Sequence, residues 1–229
     1  MLYTLQTVKD NIRNRDGKRV FYLGEKDQLT ASARDYLAGQ HVAILSAREA
    51  KQDTFSLLTG GFVKEKPEHM THLSGNILVD KLHPRIAFRG AIDSLQAELL
   101  LCQQAAQGTI RQDLEELLAF SGKLLSCEVM DEPVRLEKLC GLTAQELRSH
   151  SHRPQDFYGQ AHFKPSAEDT GLLLLLNRAR CVARAAELQA VAAFRDRDGN
   201  PTRLDILQSM NRLSSMLYIL MIREKATQK

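Results

Sequence analysis

The spacing of apolar and polar positions divides the chain near residue 84. Before that point apolar residues come in short runs, and beyond it they recur at helical spacing over long stretches. In the first part, "RVFYLG" and "HVAILS" flank "TASARDYLAG", where Thr30 or Ser32 is placed to cap a helix and Gly39 to end it. This pattern predicts a small α/β segment, strand-helix-strand, over residues 1–60. "LTGGFVKEKP", residues 58–67, carries no period, so residues 61–83 read as a linker with a histidine-containing lead-in, "PEHMTHLSGN".

Residues 84–229 read as a helical bundle. "PRIAFRGAIDSLQAELLLCQQAAQG" opens with Pro84 and ends at Gly108, and "RQDLEELLAFSGKLLSCEV" continues the helical spacing. "RLEKLCG" and "TAQELRSH" predict shorter helices, and "SHRPQDFYGQAHFKPSAEDTG" reads as a long functional loop. Two strong helices follow, over about 167–195 and 202–226, joined by the turn "RDRDGNP". The fold class expected is mainly α: an antiparallel four- or five-helix bundle with the small N-terminal α/β segment.

Composition narrows the function classes. With 229 residues and 43% hydrophobic positions the chain can bury a sizeable core. A net charge of +3 gives no footprint for nucleic acid or an anionic membrane, and leaves an anionic small molecule compatible. The longest apolar run, "GLLLLLN", is too short to span a bilayer, and no signal peptide is visible. Cys102, Cys127, Cys140 and Cys181 are widely spaced and read as reduced, buried thiols of a cytoplasmic protein.

Within the penultimate helix, "LLLLLNRARCVARAAELQAVAAF" is apolar nearly all round, yet Asn177, Arg180, Arg184 and Glu187 fall on one stripe. Charged groups drawn into a bundle need an internal acid, a partner subunit's acid or a bound anion. On the last helix Asn211, Ser214 or Ser215, and Tyr218 make a second polar stripe, opposite Leu213, Leu217, Leu220 and Met221. Asp93 interrupts the first long helix one turn after Arg89. Structural pairs Arg180–Glu187 and Arg89–Asp93 would explain these charges, whereas three polar stripes on three helices point to a site between them.

The helix "RARCVARAAELQAVAAF" resembles the R-x3-R-x2-E signature of ATP:corrinoid adenosyltransferases, supplied by Arg180, Arg184 and Glu187. "NRLSSMLYILM" is similar to that family's asparagine-containing C-terminal helix, and "RGAIDSLQAELLLCQ" to its first bundle helix through Gly90, Asp93 and Leu95. "PEHMTHL", "HPRIAFRG" and "LTASARDYL" resemble the ethanolamine-utilisation branch specifically. The resemblance implies transfer of the 5′-deoxyadenosyl group of ATP to the cobalt of reduced cobalamin, with a divalent metal such as magnesium, in ethanolamine or diol breakdown. It implies a homo-oligomer, trimer or dimer, with interfacial sites, and a reductase or flavodoxin as electron donor. A bacterial microcompartment, or an adenosylcobalamin-dependent lyase or dehydratase, are further partners it implies.

By the same resemblance Arg180, Arg184 and Glu187 are the catalytic group and Asn211 and Asp93 belong to the ATP-binding set, to which Lys81, Arg85 and Arg89 are added as candidate phosphate contacts in place of the family's glycine-rich loop. Phe163 and His162 face the corrinoid, Phe163 standing where the family keeps an aromatic that displaces cobalamin's lower ligand. His69 and His72 are three apart and would share a helical face as metal ligands, with His83 or Glu68 as a third. The chain departs from the family at Leu188, where a second arginine is common, and at Ser215, where an acid is frequent. It also lacks a glycine-rich phosphate loop, and no cysteine cluster follows the lead-in histidines. Those departures keep two alternatives in view: a catalytically weakened corrinoid-binding or microcompartment interaction module, and a histidine-based phosphohydrolase.

Overall fold

A computed structural model describes residues 2–15, 17–24, 26–46 and 55–228. Positions 47–54 of the 1–60 segment therefore lie outside the described residues. The chain forms two compact units, Met1–Lys81 and Leu82–Lys229.

In the first unit β1 (Leu2–Tyr3) pairs in parallel with β4 (Gln28–Leu29). β2 (Arg13–Arg15), β3 (Lys18–Leu23) and β5 (Ala43–Ser46) form a sheet in that order. β3 and β5 run parallel, which requires a crossover, and α2 (Ala31–Gly39) supplies it. Thr30 is the cap: its hydroxyl oxygen accepts from the Ala33 amide at 3.3 Å, and Gly39 is the last helical residue. Val8 of α1 (Leu5–Asn11) packs with Phe21, Ala33, Leu37 and Val42 in a small separate core.

The stretch read as a linker is largely sheet. β6 (Phe55–Leu57), β7 (Phe62–Val63), β8 (Met70–Ser74) and β9 (Ile77–Asp80) line up in the order β7-β6-β9-β8. β8 and β9 form an antiparallel hairpin turning at Gly75, whose φ is 53°. The helical placement of His69 and His72 is thereby overturned. Ser-Gly-Asn is a turn sequence, and Leu73, Leu78 and Val79 bury on the resulting strands, so strand pairing wins over helix formation.

The second unit holds four long helices: α3 (Pro84–Ala105), α4 (Gly108–Met130), α7 (Gly171–Ala193) and α8 (Leu204–Ala226). Side-chain pairs at their ends fix the directions. Arg85 and Arg89 at the start of α3 meet Glu128 at the end of α4. Phe88 of α3 stacks edge-on against Phe194 at the end of α7, with ring centroids 5.5 Å apart. Thr170, capping α7, donates to Glu224 near the end of α8 at 2.8 Å. Arg223 of α8 pairs with Asp113 of α4, while Arg203, just before α8, reaches Asp131 just beyond α4. Each packed pair is antiparallel, but α4 and α7, consecutive in the sequence, run parallel, so the connection between them runs the length of the bundle.

Two shorter helices, α5 (Ala144–His152) and α6 (Pro154–Tyr158), lie in the connection between α4 and α7. The helix expected at "RLEKLCG" is instead a hairpin, β10 (Lys138–Leu139) with β11 (Leu142–Thr143). Cys140 and Gly141 turn it with φ of 50° and 78°, the left-handed pair that a two-residue hairpin needs. The stretch read as a long loop contains α6, and α7 begins four residues later than its apolar pattern implied. The cause is the cap: Thr170 accepts from the Leu173 amide at 3.2 Å.

α7 runs between α3 and α8. Its inward stripe is Leu173, Leu176, Ala179, Ala183, Ala186 and Ala190, every one fully buried. Four consecutive inward alanines let both neighbouring helices approach closely, and leave no room for a longer side chain. Ala183→Leu should destabilise this unit by about 1–3 kcal/mol through overpacking. Denaturant unfolding checks it; a midpoint unchanged from the parent would show that the helices are not in tight contact there.

Candidate functional site

The polar stripes of α7 and α8 meet in a cavity of about 340 Å³. Arg180 and Arg184 reach it from α7, and Ser214, Ser215 and Tyr218 from α8. The end of α5 adds Ser151 and His152, and the loop before α7 adds His162. Among the described residues no carboxylate lines it. Two guanidinium groups facing a carboxylate-free cavity favour an oxyanion.

The arginines are prepared for such a partner. Arg180 donates to Asn177 Oδ1 at 3.0 Å, and its buried Nε has no hydrogen-bond partner among the described residues. Arg184, one turn on, is exposed and makes no ion pair among the described residues. The proposed pairing of Arg180 with Glu187 does not form. Glu187 instead accepts from Asn211 Nδ2 at 3.2 Å, which links the polar stripe of α7 to that of α8. Ser214 and Ser215 both donate to the Asn211 carbonyl, at 3.0 and 2.9 Å, so their oxygens face the cavity as acceptors.

His162 stacks on Tyr218 with ring planes 13° apart, and its Nδ1 lies 2.7 Å from the phenol oxygen. Burial raises the Tyr218 hydroxyl above its ordinary pKa, against the opposing Arg180 charge, so the phenol stays neutral. Next to His162, Phe163 is half-buried against the bundle core and lies 5.8 Å beneath the Lys225 ammonium. Lys225 is fixed by Asp169, whose other oxygen accepts from the Ser166 amide at 2.7 Å. His150 stays out of the cavity, stacked on Phe157 at 3.8 Å and bonded to Tyr158 at 2.7 Å.

Other expected site residues take other partners. Arg85 and Arg89 were read as phosphate contacts, but both turn onto Glu128. Its carboxylate is fully buried, and Arg85 also donates to the Glu128 carbonyl at 2.9 Å. A buried carboxylate needs such partners, which accounts for where the two guanidinium groups point. Asp93 is exposed on α3 and pairs with neither Arg180 nor Arg184. Lys81 belongs to the first unit and lies 3.6 Å from Glu68. His69 precedes β8, His72 sits on it against Phe55, and His83 caps α3, its Nδ1 accepting from the Arg85 amide at 3.2 Å. Burial lowers the pKa of His72 and of His83, with nearby cations adding to it. No group of three His, Cys, Asp or Glu suited to a metal occurs among the described residues. The thiols are free; Cys102 and Cys127 are buried, but Cys181 is exposed, contrary to expectation.

Sequence reading missed Glu128, although Leu114, Leu117, Ser121 and Leu124 precede it at helical spacing on the buried face of α4. It missed Ser151 in the cavity wall, for which the sequence offers no signal.

The sequence profile of the cobalamin adenosyltransferases matches residues 62–224. The corrinoid adenosyltransferase EutT of Salmonella typhimurium is 34% identical over 160 residues, 70% of this chain and 60% of that protein. Its Escherichia coli K12 counterpart is 32% identical over the same shares. The alignment thus spans less than two thirds of these relatives' length. Among solved structures, a variant PduO-type ATP:corrinoid adenosyltransferase from Lactobacillus reuteri, complexed with cobalamin and ATP, shares the fold. Its TM-score is 0.56 at 18% identity, over 70% of this chain and 89% of that one. A second variant of it gives 0.54 at 19%, over 70% and 91%.

The Asp169–Lys225 anchor of the loop carries a pH dependence. The Lys225 hydrogen bond and the Ser166 amide hold the Asp169 carboxyl below its ordinary pKa. Its stabilising contribution is therefore full above the unfolded value of about 4 and is lost as pH falls through the folded one. The melting-temperature gap between parent and Asp169→Asn should be constant from about pH 7 to 5 and close below about pH 4. A gap that persists undiminished at about pH 3 would remove Asp169 as the anchor.

Proposed function

This chain belongs to the cobalamin adenosyltransferase family, and from that premise we propose that it transfers the 5′-deoxyadenosyl group of ATP to the cobalt of a reduced corrinoid. The single observation that carries the reading is the cavity in which Arg180 and Arg184 converge with no carboxylate among the described lining residues. In this reaction cobalt in the +1 state attacks the 5′-carbon, a cobalt–carbon bond forms, and the carbon–oxygen bond to the phosphate chain breaks. Triphosphate leaves with that electron pair, and cobalt ends formally at +3.

The chain's own residues stabilise the leaving group and exclude water. Arg180 and Arg184 hold the polyphosphate, where guanidinium forks match phosphate oxygens. The Glu187–Asn211 pair at the edge of the stripe is suited to a ribose hydroxyl, its carboxylate accepting and its amide donating. Phe163 and His162 border the corrinoid side. A divalent ion, magnesium by preference, would neutralise the charge developing on the phosphates. The donor set fits an ion carried in by the nucleotide, which needs few protein ligands, better than one caged by protein.

The reading extends to assembly and place in metabolism. Leu100 and Leu101 of α3 and Leu174, Leu188 and Val191 of α7 are exposed, which supports a homo-oligomer that covers them. Asp93 and Arg184, both exposed, are available to such an interface. We place the protein in ethanolamine or diol breakdown, in the cytoplasm or a bacterial microcompartment, supplied with electrons by a reductase or flavodoxin and serving an adenosylcobalamin-dependent lyase or dehydratase. Among the described residues no helix is long and apolar enough to cross a membrane.

The test is adenosylcobalamin formation from reduced cobalamin, ATP and magnesium, followed by absorbance. Arg180→Ala and Arg184→Ala should each lower kcat/KM by about 10²–10³-fold, and Arg184→Lys should restore only part of it. Corrinoid binding with no product from the parent protein would replace catalysis by the interaction-module reading. Full activity in both alanine variants would remove the arginines from the site.

A further inference from the structure

The hydrogen bonds of His162 determine which way the Tyr218 hydroxyl points. His162 Nε2 lies 3.1 Å from the carbonyl oxygen of His152. A carbonyl can only accept, so Nε2 carries a hydrogen. In the neutral ring Nδ1 then carries none, and it accepts from the Tyr218 hydroxyl at 2.7 Å. Tyr218 spends its one hydrogen on the imidazole and shows the cavity only lone pairs, which an anion avoids. Burial keeps that phenol protonated, so it cannot leave this arrangement by ionising.

A protonated His162 reverses the arrangement. Nδ1 becomes a donor, Tyr218 must accept from it, and the phenol hydrogen is free to turn into the cavity. The groups facing His162 are His152 from α5, Arg180 and Arg184 from α7, and Tyr218 from α8. A third positive charge beside two guanidinium groups is unfavourable when the cavity holds no anion, and favourable when a polyanion lies between them.

We infer that His162 and Tyr218 form a proton-linked clamp, in which a polyphosphate entering the cavity draws one proton from solvent onto His162 Nδ1 and turns the Tyr218 hydrogen onto the anion. The inference rests on the reading of Arg180 and Arg184 as the polyphosphate site. It adds that the site gains a donor and a positive charge only when occupied. The same chemistry serves the phosphate chain of ATP and the triphosphate released from it, so both are probes.

Titration calorimetry of the full chain with tripolyphosphate, and separately with magnesium and ATP, in two buffers of different ionisation enthalpy, counts the protons taken up. Between about pH 6 and about pH 8.5 the parent's affinity should weaken with pH more steeply than that of His162→Gln, by up to about tenfold per unit. The ligands' own titration is common to both proteins and cancels in the comparison. Tyr218→Phe should lose affinity at the acid end and little at the alkaline end. Response to ATP alone assigns the clamp to substrate; response to both assigns it to the phosphate chain as such. Equal proton counts in parent and His162→Gln, or no binding of either probe, overturns the clamp. Adenosyl transfer measured on the same preparations separates the two readings: transfer without proton linkage removes only the clamp, and linkage without transfer removes only the enzyme.

Discussion

The bundle depends on the alanines of α7. A helix flanked by two others can come close to both only if its inward side chains are small, and Ala179, Ala183, Ala186 and Ala190 meet that condition over the second half of the helix. Close approach leaves Arg180 and Arg184, which alternate with those alanines, no place in the core. They emerge along the seam with α8, where Ser214, Ser215 and Tyr218 complete the cavity. The polar stripe is thus a consequence of the packing: small residues bring the helices together, and the long cationic residues between them mark the seam.

Charge is handled in two different ways in this unit. At the far end, Arg85 and Arg89 are matched by the buried Glu128, and the start of α8 is tied down through Arg203 to Asp205 and Asp131. These pairs close on themselves and hold helix ends in place. At the cavity the arginines meet, among the described residues, amide, hydroxyl, imidazole and phenol groups and no acid, which leaves them open to an anion from outside the chain. This contrast separates a structural ion pair from a binding site more sharply than the presence of arginine does.

Much of this was legible before any coordinates. The R-x3-R-x2-E spacing put three charged side chains on one face of a helix, and the apolar residues Leu213, Leu217, Leu220 and Met221 are buried on the face opposite the polar stripe of α8. The cap at Thr30 and the strand-helix-strand pattern were visible because both are local. What failed was longer in range. Arg85 and Arg89 look like free cations in sequence, and only the packing of α4 brings Glu128 across to them. "PEHMTHLSGN" looks helical by the spacing of its histidines, yet pairing with a neighbouring strand decides its conformation. The hairpin at Cys140 and Gly141 was hidden because a cysteine at positive φ has no signature in composition.

The central claim is that the polyphosphate of ATP is held in the α7–α8 seam. A crystal structure of the protein with magnesium and a non-reacting ATP analogue tests it most directly. The account predicts phosphate oxygens within hydrogen-bond distance of both Arg180 and Arg184, with Tyr218 donating to one of them. Phosphates bound at Arg85, Arg89 or the lead-in histidines, with both cavity arginines uncontacted, would contradict it.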